Sequence, residues 1–250
     1  MDYSKIKGYK EIKVYWFKYM FGEVDLMSKM LQQHIKYEKD LMVEKIEYCE
    51  KDKLWARYEY EYKDKDLLKK TIEYDNNNKP NHIYKYEYNK EGFETEITKY
   101  DLKSKLEEKI IYKYNGKNLK IEETKNIYLG EYNINEYKEY KYNCKGLLIK
   151  QRNFLFGSLK DIIKYKNNKK GLIVEGLIYT PGKLRNKLIY KYIYKYNEKG
   201  LLTKKTTYEY DKMYEGYEYN YNEKDLKSED IYYDSRNEPK TKLIYEYENC

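Results

Sequence analysis

Tyrosine alternates with charged residues along much of the chain. Tyr84, Tyr86 and Tyr88 are each separated by one Lys or Glu, and Tyr also occupies every second position over 190–196 and 217–221. An apolar residue at every second position is typical of a β-strand, and it places the tyrosines on one face with Lys and Glu on the other. Strands of this kind, set side by side, form aromatic rows that stabilise a sheet.

A short motif also returns at an interval of about 27 residues, a period typical of repeat proteins. In its best copies it begins with Tyr, usually followed by Asn, and it ends in Gly, Asn or Asp before a Leu or Phe, as at 196–201. Gly, Asn and Asp tolerate a left-handed backbone and close short hairpin loops, so each copy is interpreted as a hairpin turn. We call these nine positions the anchor residues: Gly8, Asp40, Asp66, Gly92, Asn118, Gly146, Gly171, Gly200 and Asp225.

A second class of turn falls between consecutive anchor residues. Residues 74–80 match 233–239, with a proline at the same place, and 179–182 occupies the equivalent position in another repeat. All three prolines of the chain lie in this class, where a missing amide proton is harmless. Each repeat is thus strand, turn, strand, turn. The predicted fold is all-β, with antiparallel β-hairpin repeats forming one elongated, curved or spiralling meander sheet.

The beginning of the chain is less regular than the rest. We interpret 1–57 as degenerate N-terminal repeats or a cap, and 58–250 as the β-hairpin repeat domain. Trp16 and Phe17 are expected to seal the first edge of the sheet.

The apolar spacing within 25–43 is compatible with a helix or with a strand. The strand is favoured because 41–48 has the same length and the same ending as 67–74.

Composition changes the picture of the core. Hydrophobic residues make up 40% of the 250 positions, but 37 residues are Tyr and only 5 are Phe. A buried Tyr hydroxyl needs a hydrogen-bond partner, so an interior built of these rings must be thin or close to water. AT-rich coding favours Phe as much as Tyr, which indicates that the hydroxyl itself is selected.

The net charge is +8, with both signs interleaved along the strands. This pattern is typical of a solvated face that forms ion pairs. Lys outnumbers Arg 47 to 4, whereas contacts to phosphates and guanine favour Arg. Charge and composition therefore disfavour a nucleic-acid partner.

Residues that carry chemistry are few and scattered. Cys49, Cys144 and Cys250 include no CxxC pair, and His34 and His82 have no His, Cys or Asp neighbour at ligand spacing. The common nucleotide-binding, metalloprotease and hydrolase motifs are absent. We predict a protein that is not an enzyme, with no catalytic residue, no cofactor and no metal site.

No apolar stretch reaches the length of a membrane span, and residues 1–14 lack the apolar region of a leader peptide. We therefore expect a cytoplasmic protein, or a secreted or cell-surface one if a leader is missing from this sequence.

The repeats resemble the bacterial YD repeats of the RHS family, in which a Tyr-x-Tyr-Asp turn is followed by Gly and an apolar residue. Residues 194–201 and their copies carry the resemblance, which covers roughly 58 to 247. Asn usually replaces the Asp of that pattern, and the Arg common after the glycine is absent. The resemblance implies a spiralling β-sheet that encloses or displays another molecule. A weaker likeness links the chain to YwqK-type antitoxin repeat proteins.

These features predict a non-enzymatic β-repeat scaffold or binding protein that presents a Tyr-rich face to a protein or glycan, because ring planes offer contact area at little entropic cost. The alternative within this interpretation is that the tyrosines only hold the sheet together. The candidate binding face consists of Tyr84, Tyr86, Tyr190, Tyr192, Tyr194, Tyr217 and Tyr219.

Two further functions compete with this prediction. The first is a cytoplasmic antitoxin or immunity protein that neutralises a toxin by direct binding, through an edge strand that extends its sheet. The second is binding of single-stranded nucleic acid by stacking tyrosines. The oligomeric state is left open by the sequence.

Overall fold

A computed structural model describes residues 7–20, 22–49, 53–63, 66–182 and 185–249. The regular secondary structure of these residues consists of eighteen β-strands, which confirms the all-β prediction. The strands are β1 (Tyr9–Met20), β2 (Glu23–Glu38), β3 (Leu41–Cys49), β4 (Lys53–Lys63), β5 (Leu67–Tyr74), β6 (Pro80–Tyr88), β7 (Glu94–Asp101), β8 (Leu106–Tyr114), β9 (Lys120–Leu129), β10 (Tyr132–Tyr142), β11 (Leu148–Leu155), β12 (Ser158–Asn167), β13 (Ile173–Thr180), β14 (Lys187–Tyr196), β15 (Leu202–Glu209), β16 (Lys212–Tyr221), β17 (Lys227–Tyr233) and β18 (Pro239–Asn249).

The sheet closes on itself. Consecutive strands pair antiparallel, and β1 pairs with both β2 and β18, so that the eighteen strands form a β-barrel. The open, elongated, curved or spiralling meander sheet predicted from the sequence is therefore wrong. The hairpin pattern predicts which strands follow one another, but the pairing of Val14 with Tyr245 has no local signal in the sequence.

This closure also corrects the expectation for the first strand. Trp16 lies opposite Met30 of β2 and Leu243 of β18, so β1 has a partner on each side. Trp16 and Phe17 do not seal an edge, because the strand that carries them is not an edge strand.

The chain divides into two compact units, which we describe separately. The terminal unit comprises 1–109 and 241–250, and the central unit comprises 110–240. In the terminal unit, β18, β1 and β2 are followed by β3 to β7 in sequence order. In the central unit, β9 to β17 form an uninterrupted antiparallel meander.

The segment 25–43 is extended, which confirms the strand interpretation. It spans most of β2, a two-residue turn at Lys39 and Asp40, and the start of β3. The helical spacing of its apolar residues is overridden by pairing with β1, where Ile35 lies opposite Ile12. Tertiary pairing of this kind routinely decides between two weak local preferences.

The anchor residues adopt the backbone that the sequence predicts. Eight of the nine have φ between 58° and 85°, and the ninth, Asp66, adjoins residues 64–65, which lie outside the described residues. These eight are Gly8, Asp40, Gly92, Asn118, Gly146, Gly171, Gly200 and Asp225. The prediction of left-handed hairpin turns is thus confirmed for the seven of these residues that lie between two described strands. Gly8 has the predicted backbone, but residues 1–6 before it lie outside the described residues.

In six of the anchor turns, an Asn three residues before the anchor residue holds the loop with its side chain. In the loop after β14, the Asn197 Oδ1 accepts the N–H of Leu201 at 2.9 Å, while the N–H of Gly200 donates to the Asn197 carbonyl at 3.0 Å. Asp75 does the same in a turn of the second class, where its Oδ1 accepts the N–H of Lys79 at 2.9 Å. Only an acceptor oxygen is used, which explains why Asn and Asp exchange at this position.

The best-buried residues lie in the terminal unit, across β18, β1 and β2. Ile12 and Ile35 are fully buried and directly opposite each other, and Val14 is nearly so. In the central unit, Thr206 and Thr207 of β15 are buried, but most strand residues are only half-buried. Outside β1 and its two neighbours, the described strands therefore pack through a thin layer of half-buried side chains, many of them tyrosine rings, as the scarcity of aliphatic residues suggests.

Candidate functional site: the tyrosine cluster of the central unit

Tyrosines four residues before an anchor residue have a structural role. In five of them the hydroxyl donates to a backbone carbonyl on the preceding strand, at 2.7–2.9 Å, and the acceptor lies two residues after the previous anchor residue. We call them the turn tyrosines; the pairs are Tyr62 with Met42, Tyr88 with Leu68, Tyr142 with Lys120, Tyr196 with Ile173, and Tyr221 with Leu202. This recurring bond requires Tyr rather than Phe and accounts for part of the selection of the hydroxyl.

One repeat lacks this tyrosine but keeps the bond. Asn167 occupies the same position before Gly171, and its Nδ2 donates to the Leu148 carbonyl at 2.9 Å. Leu148 also lies two residues after an anchor residue, Gly146. The position therefore selects a hydrogen-bond donor that reaches the previous repeat.

The seven tyrosines of the predicted binding face are not all brought together. Tyr84 and Tyr86 lie on β6 in the terminal unit, and the other five lie on β14 and β16 in the central unit. The Tyr84 hydroxyl donates to Glu73 Oε2 at 2.6 Å, and the Tyr86 hydroxyl lies 3.2 Å from Thr71 Oγ1. Both hydroxyls on β6 thus already have partners on β5.

Four of the five tyrosines in the central unit form a cluster. The rings of Tyr192 and Tyr194 on β14 have centroids 6.5 Å apart and are tilted by 37°. Those of Tyr217 and Tyr219 on β16 are 6.4 Å apart and nearly parallel, with 6° between planes. A further ring, Tyr232 on β17, lies 5.3 Å from Tyr217. We call these five residues the central cluster.

Strand β15 runs between the two tyrosine strands and supplies a cation. Tyr194 lies opposite Lys205 in the strand register. The Lys205 Nζ lies 5.4 Å from the ring centroid of Tyr192 and 5.7 Å from that of Tyr217, distances at which a cation is attracted to both ring faces. Lys205 therefore connects the aromatic pairs of β14 and β16.

Hydrogen-bonding groups lie beside the rings. The buried Thr207 donates its hydroxyl to Glu215 Oε1 at 3.3 Å, and the Tyr217 hydroxyl donates to Glu215 Oε2 at 3.3 Å. The cluster thus combines ring faces with an ammonium, a carboxylate and a hydroxyl. Sequence reasoning missed Lys205, Glu215 and Tyr232 because their placement depends on the register between strands, which alternation alone does not specify.

The fifth tyrosine, Tyr190, has a different environment. It lies opposite Glu209, and its hydroxyl donates to Glu209 Oε1 at 2.9 Å. This hydrogen bond to a carboxylate raises the pKa of Tyr190. Its hydroxyl is already used by a neighbouring strand, so we do not include Tyr190 in the central cluster.

Four of the five phenols of the cluster have a raised pKa. Burial raises the pKa of Tyr192, of Tyr194 and of Tyr217, and it is also the main cause that raises the pKa of Tyr219. A phenol with a raised pKa donates or accepts hydrogen bonds but does not supply a phenolate. The arrangement is thus suited to contact and hydrogen bonding.

The remaining candidate residues lie elsewhere. His34 Nε2 lies 2.8 Å from Glu11 Oε2, and His82 lies between Glu73 and Glu107, at 3.2 and 3.1 Å. Cross-strand register brings these carboxylates to the histidines, a contact that sequence spacing does not indicate. Within the described ranges, no group of three His, Cys, Asp or Glu side chains is arranged to hold a metal ion.

Two of the cysteines, Cys49 and Cys144, are exposed and free, and Cys250 lies outside the described residues. A search of the described part of the chain for a helix long and apolar enough to cross a membrane found none.

Comparison with known proteins gives structural likenesses only. No protein-family model matches this chain, and no curated protein matches it. The fold is similar to a porin-like protein from Bacteroides uniformis, with 10% identity and a TM-score of 0.48 over 97% of this chain and 98% of that one. A porin-like protein from Bacteroides vulgatus has 11% identity and a TM-score of 0.42 over 94% and 97% of the two chains.

A third solved structure, of TcdB2-TccC3, matches with 11% identity and a TM-score of 0.41. That match covers 87% of this chain but only 15% of the other. All three similarities are too distant to assign a role, and the resemblance to YD repeats stays a prediction.

Proposed function

We propose that this chain is a non-catalytic binding protein whose central cluster recognises a glycan. The observation that carries the proposal is the nearly parallel pair of Tyr217 and Tyr219, set beside Tyr192 and Tyr194 with Lys205 between them. Rings placed in this way offer flat apolar faces, on which the C–H face of a sugar ring can pack. No covalent step is required of these residues.

Polar groups at the cluster fit the same ligand class. Sugar hydroxyls need donors and acceptors at the edge of the ring face, and Lys205, Thr207 and Glu215 supply both kinds. Tyrosine contributes contact area at a small entropic cost because it has only two side-chain torsions. A rigid sheet that presents several rings is therefore an economical surface for a neutral oligosaccharide.

The competing antitoxin hypothesis gains no support from the strand pairing. Its expected mode was extension of the sheet through an edge strand, and β1 pairs on both sides. That hypothesis stays a prediction, and no observation on the described residues favours it over recognition by the central cluster.

A glycan array followed by calorimetry on the best hit tests the proposal. We expect the wild-type protein to bind. The double variant Tyr192→Ala/Tyr217→Ala should lose roughly tenfold or more in affinity, because a few buried aromatic contacts usually supply most of the binding energy. Tyr132→Ala is the matched control, since Tyr132 is 79% exposed and lies outside the cluster. Its affinity should stay within about twofold of wild type.

The thermal melting temperature separates recognition from folding. If the double variant is destabilised, Tyr192→Leu/Tyr217→Leu keeps apolar bulk while removing the ring faces and hydroxyls. A wild-type protein that binds no glycan, or a folded double variant that binds as tightly as wild type, contradicts the proposal.

A further inference from the structure

On the face opposite the tyrosines, lysines are generally neutralised by glutamates on the next strand. Lys113 of β8 lies 2.6 Å from Glu122 of β9, and in the terminal unit Lys109 lies 2.8 Å from Glu96. Arg152 of β11 is likewise paired with Glu139 of β10. Cross-strand pairs of opposite charge stabilise a sheet, so this complementarity is the expected arrangement.

Three lysines of the central unit break this rule. Lys141 of β10 lies directly opposite Lys150 of β11, which in turn lies directly opposite Lys164 of β12. Neighbouring strands are about 4.7–4.9 Å apart, so the backbone positions of three lysines follow one another at about that interval. We call Lys141, Lys150 and Lys164 the lysine row.

The charges of the lysine row are not compensated within the described residues. Lys141 and Lys150 form no ion pair there, and Lys164 has only a ring contact, 5.0 Å from the centroid of Tyr179. On the far side of Lys164, the strand register places Leu177. Like charges directly opposite one another destabilise a sheet, so this row costs stability in the isolated chain.

Other opposed lysines do have an acidic neighbour. Lys70 lies opposite Lys85, but Glu61 is its partner on the other side. Lys204 lies opposite Lys195, and it contacts Glu218 at 2.7 Å. The lysine row differs from these pairs because no carboxylate lies directly opposite Lys150 or Lys164. The acidic residue two positions before Lys141, Glu139, is already paired with Arg152.

The adjacent turns extend the positive surface. Lys145 is exposed in the turn after β10, and Lys169 and Lys170 are exposed in the turn after β12. Neither turn contains an acidic residue. The Lys170 Nζ donates to the Glu198 carbonyl at 2.6 Å, which uses one of its three donors.

We infer that the lysine row binds a linear acidic polysaccharide that carries a carboxylate on each sugar, that is, a polyuronate. The strand interval is close to the length of one pyranose unit in an extended chain, so successive carboxylates meet successive lysines. A nucleic-acid strand is a poorer match, because contacts to its phosphates and bases favour Arg over Lys, and every member of the row is a Lys. Binding of the polyanion would remove the repulsion along the row.

This inference is independent of the proposed function. The lysine row lies on the face opposite the tyrosines, because Lys141 alternates with Tyr140 and Tyr142 along β10. It concerns a charged ligand and other residues, so either proposal can fail alone. The Tyr192→Ala/Tyr217→Ala variant should bind polyuronate as wild type does.

Binding to fluorescent oligogalacturonate, measured at low and at high salt, tests the inference. We expect the triple variant Lys141→Gln/Lys150→Gln/Lys164→Gln to lose roughly tenfold or more in affinity. The matched control Lys79→Gln/Lys103→Gln/Lys105→Gln removes the same charge from exposed turns of the terminal unit and should stay within about twofold. Fully methyl-esterified oligogalacturonate should not bind through the row.

A stability measurement adds a readout that does not depend on the ligand. Lys150→Glu places a carboxylate between two lysines, so we expect its melting temperature to rise in the absence of ligand, while affinity for oligogalacturonate falls. A lower melting temperature contradicts the uncompensated row. Equal loss of binding in the two triple variants, or tighter binding of a single-stranded oligonucleotide than of oligogalacturonate, overturns the assignment of a polyuronate.

Discussion

The hydroxyl of each turn tyrosine links its strand to the preceding one by a hydrogen bond to a backbone carbonyl. Tyr142 lies in β10 four residues before its anchor residue, and its hydroxyl donates to the Lys120 carbonyl of β9 at 2.7 Å. Asn167 makes the equivalent bond with an amide. Two chemically different side chains thus donate to carbonyls at the equivalent position of two repeats, so the donor rather than the ring is the common requirement.

Removing this hydroxyl should destabilise the protein. We expect Tyr142→Phe to lower the free energy of unfolding by about 1 kcal/mol, because the ring remains while the hydrogen bond to Lys120 is lost. Chemical denaturation followed by circular dichroism measures the difference. Tyr132→Phe serves as the control, because Tyr132 is 79% exposed and should change stability by less than about 0.5 kcal/mol. Equal effects in the two variants would contradict the role of the turn tyrosines.

The left-handed anchor residues permit a second test. A Cβ at Gly92 meets no atom within 4 Å, but its φ is +82°, so the cost of Gly92→Ala is conformational. We expect a loss of about 1–2 kcal/mol in unfolding free energy. Gly116 is also free of neighbours within 4 Å but has no positive φ, so Gly116→Ala should be neutral or slightly stabilising. Denaturation midpoints that do not separate the two variants would show that the turn backbone is not strained by Ala.

Among the elements, β1 is distinct because one of its two partners, β18, lies more than two hundred residues away and because it carries the most buried side chains. Ile12 lies opposite Ile35 of β2 and Tyr247 of β18 and is fully buried. The rest of the described sheet has few side chains of this kind. Much of the apolar stabilisation of the terminal unit is therefore concentrated in this strand and its two neighbours.

Truncation in β1 should cost more than truncation in a surface hairpin. We expect Ile12→Ala to lower unfolding free energy by about 2–5 kcal/mol, since it leaves a cavity in a closed site. Leu129→Ala, at a position 57% exposed, should change it by less than about 0.5 kcal/mol. Urea titrations of both variants measure the difference. A small effect of Ile12→Ala would mean that β1 is not part of the main core.

The elements also show how far sequence reasoning reaches. Turns at Gly92, Gly146 and Gly200, and the strands that lead into them, follow from residue types that act locally, and the structure has them. Closure through β1 and β18 depends on residues separated by more than two hundred positions, so hairpin signals cannot predict it.

The candidate site was predictable only in part, for the same reason. Alternation identified Tyr192 and Tyr217 as residues of one face, but the distance between β14 and β16 depends on the register and bulges of β15. The same limit applies to Lys141 and Lys150, whose opposition appears only when the strands are paired.

At the scale of the whole molecule, the abundance of half-buried tyrosine predicts sensitivity to alkali. Burial raises the pKa of Tyr58, of Tyr88 and of Tyr165 to about 12 in each case. The unfolded pKa is near 10, so the neutral phenol is favoured by folding. This contribution is fully present below pH 10 and is lost as pH rises from about 10 to about 12.

In an alkaline titration above pH 10, we therefore expect tyrosinate absorbance to increase and the β-sheet circular dichroism signal to decrease over the same pH range. The return titration from high pH should follow the refolding of the sheet. Ionisation of most tyrosines near pH 10 with an unchanged dichroism spectrum would contradict the prediction.

The pairing of β1 with β18 has a consequence for synthesis. On the ribosome, the central unit emerges as one continuous series of hairpins and can fold as it appears. The terminal unit cannot, because β18, one partner of β1, follows it by more than two hundred residues. Until β18 is made, the nascent chain exposes one edge of β1, the strand that carries Ile12 and Val14. These residues are thus protected long after they are synthesised, and this interval is when a chaperone would be needed.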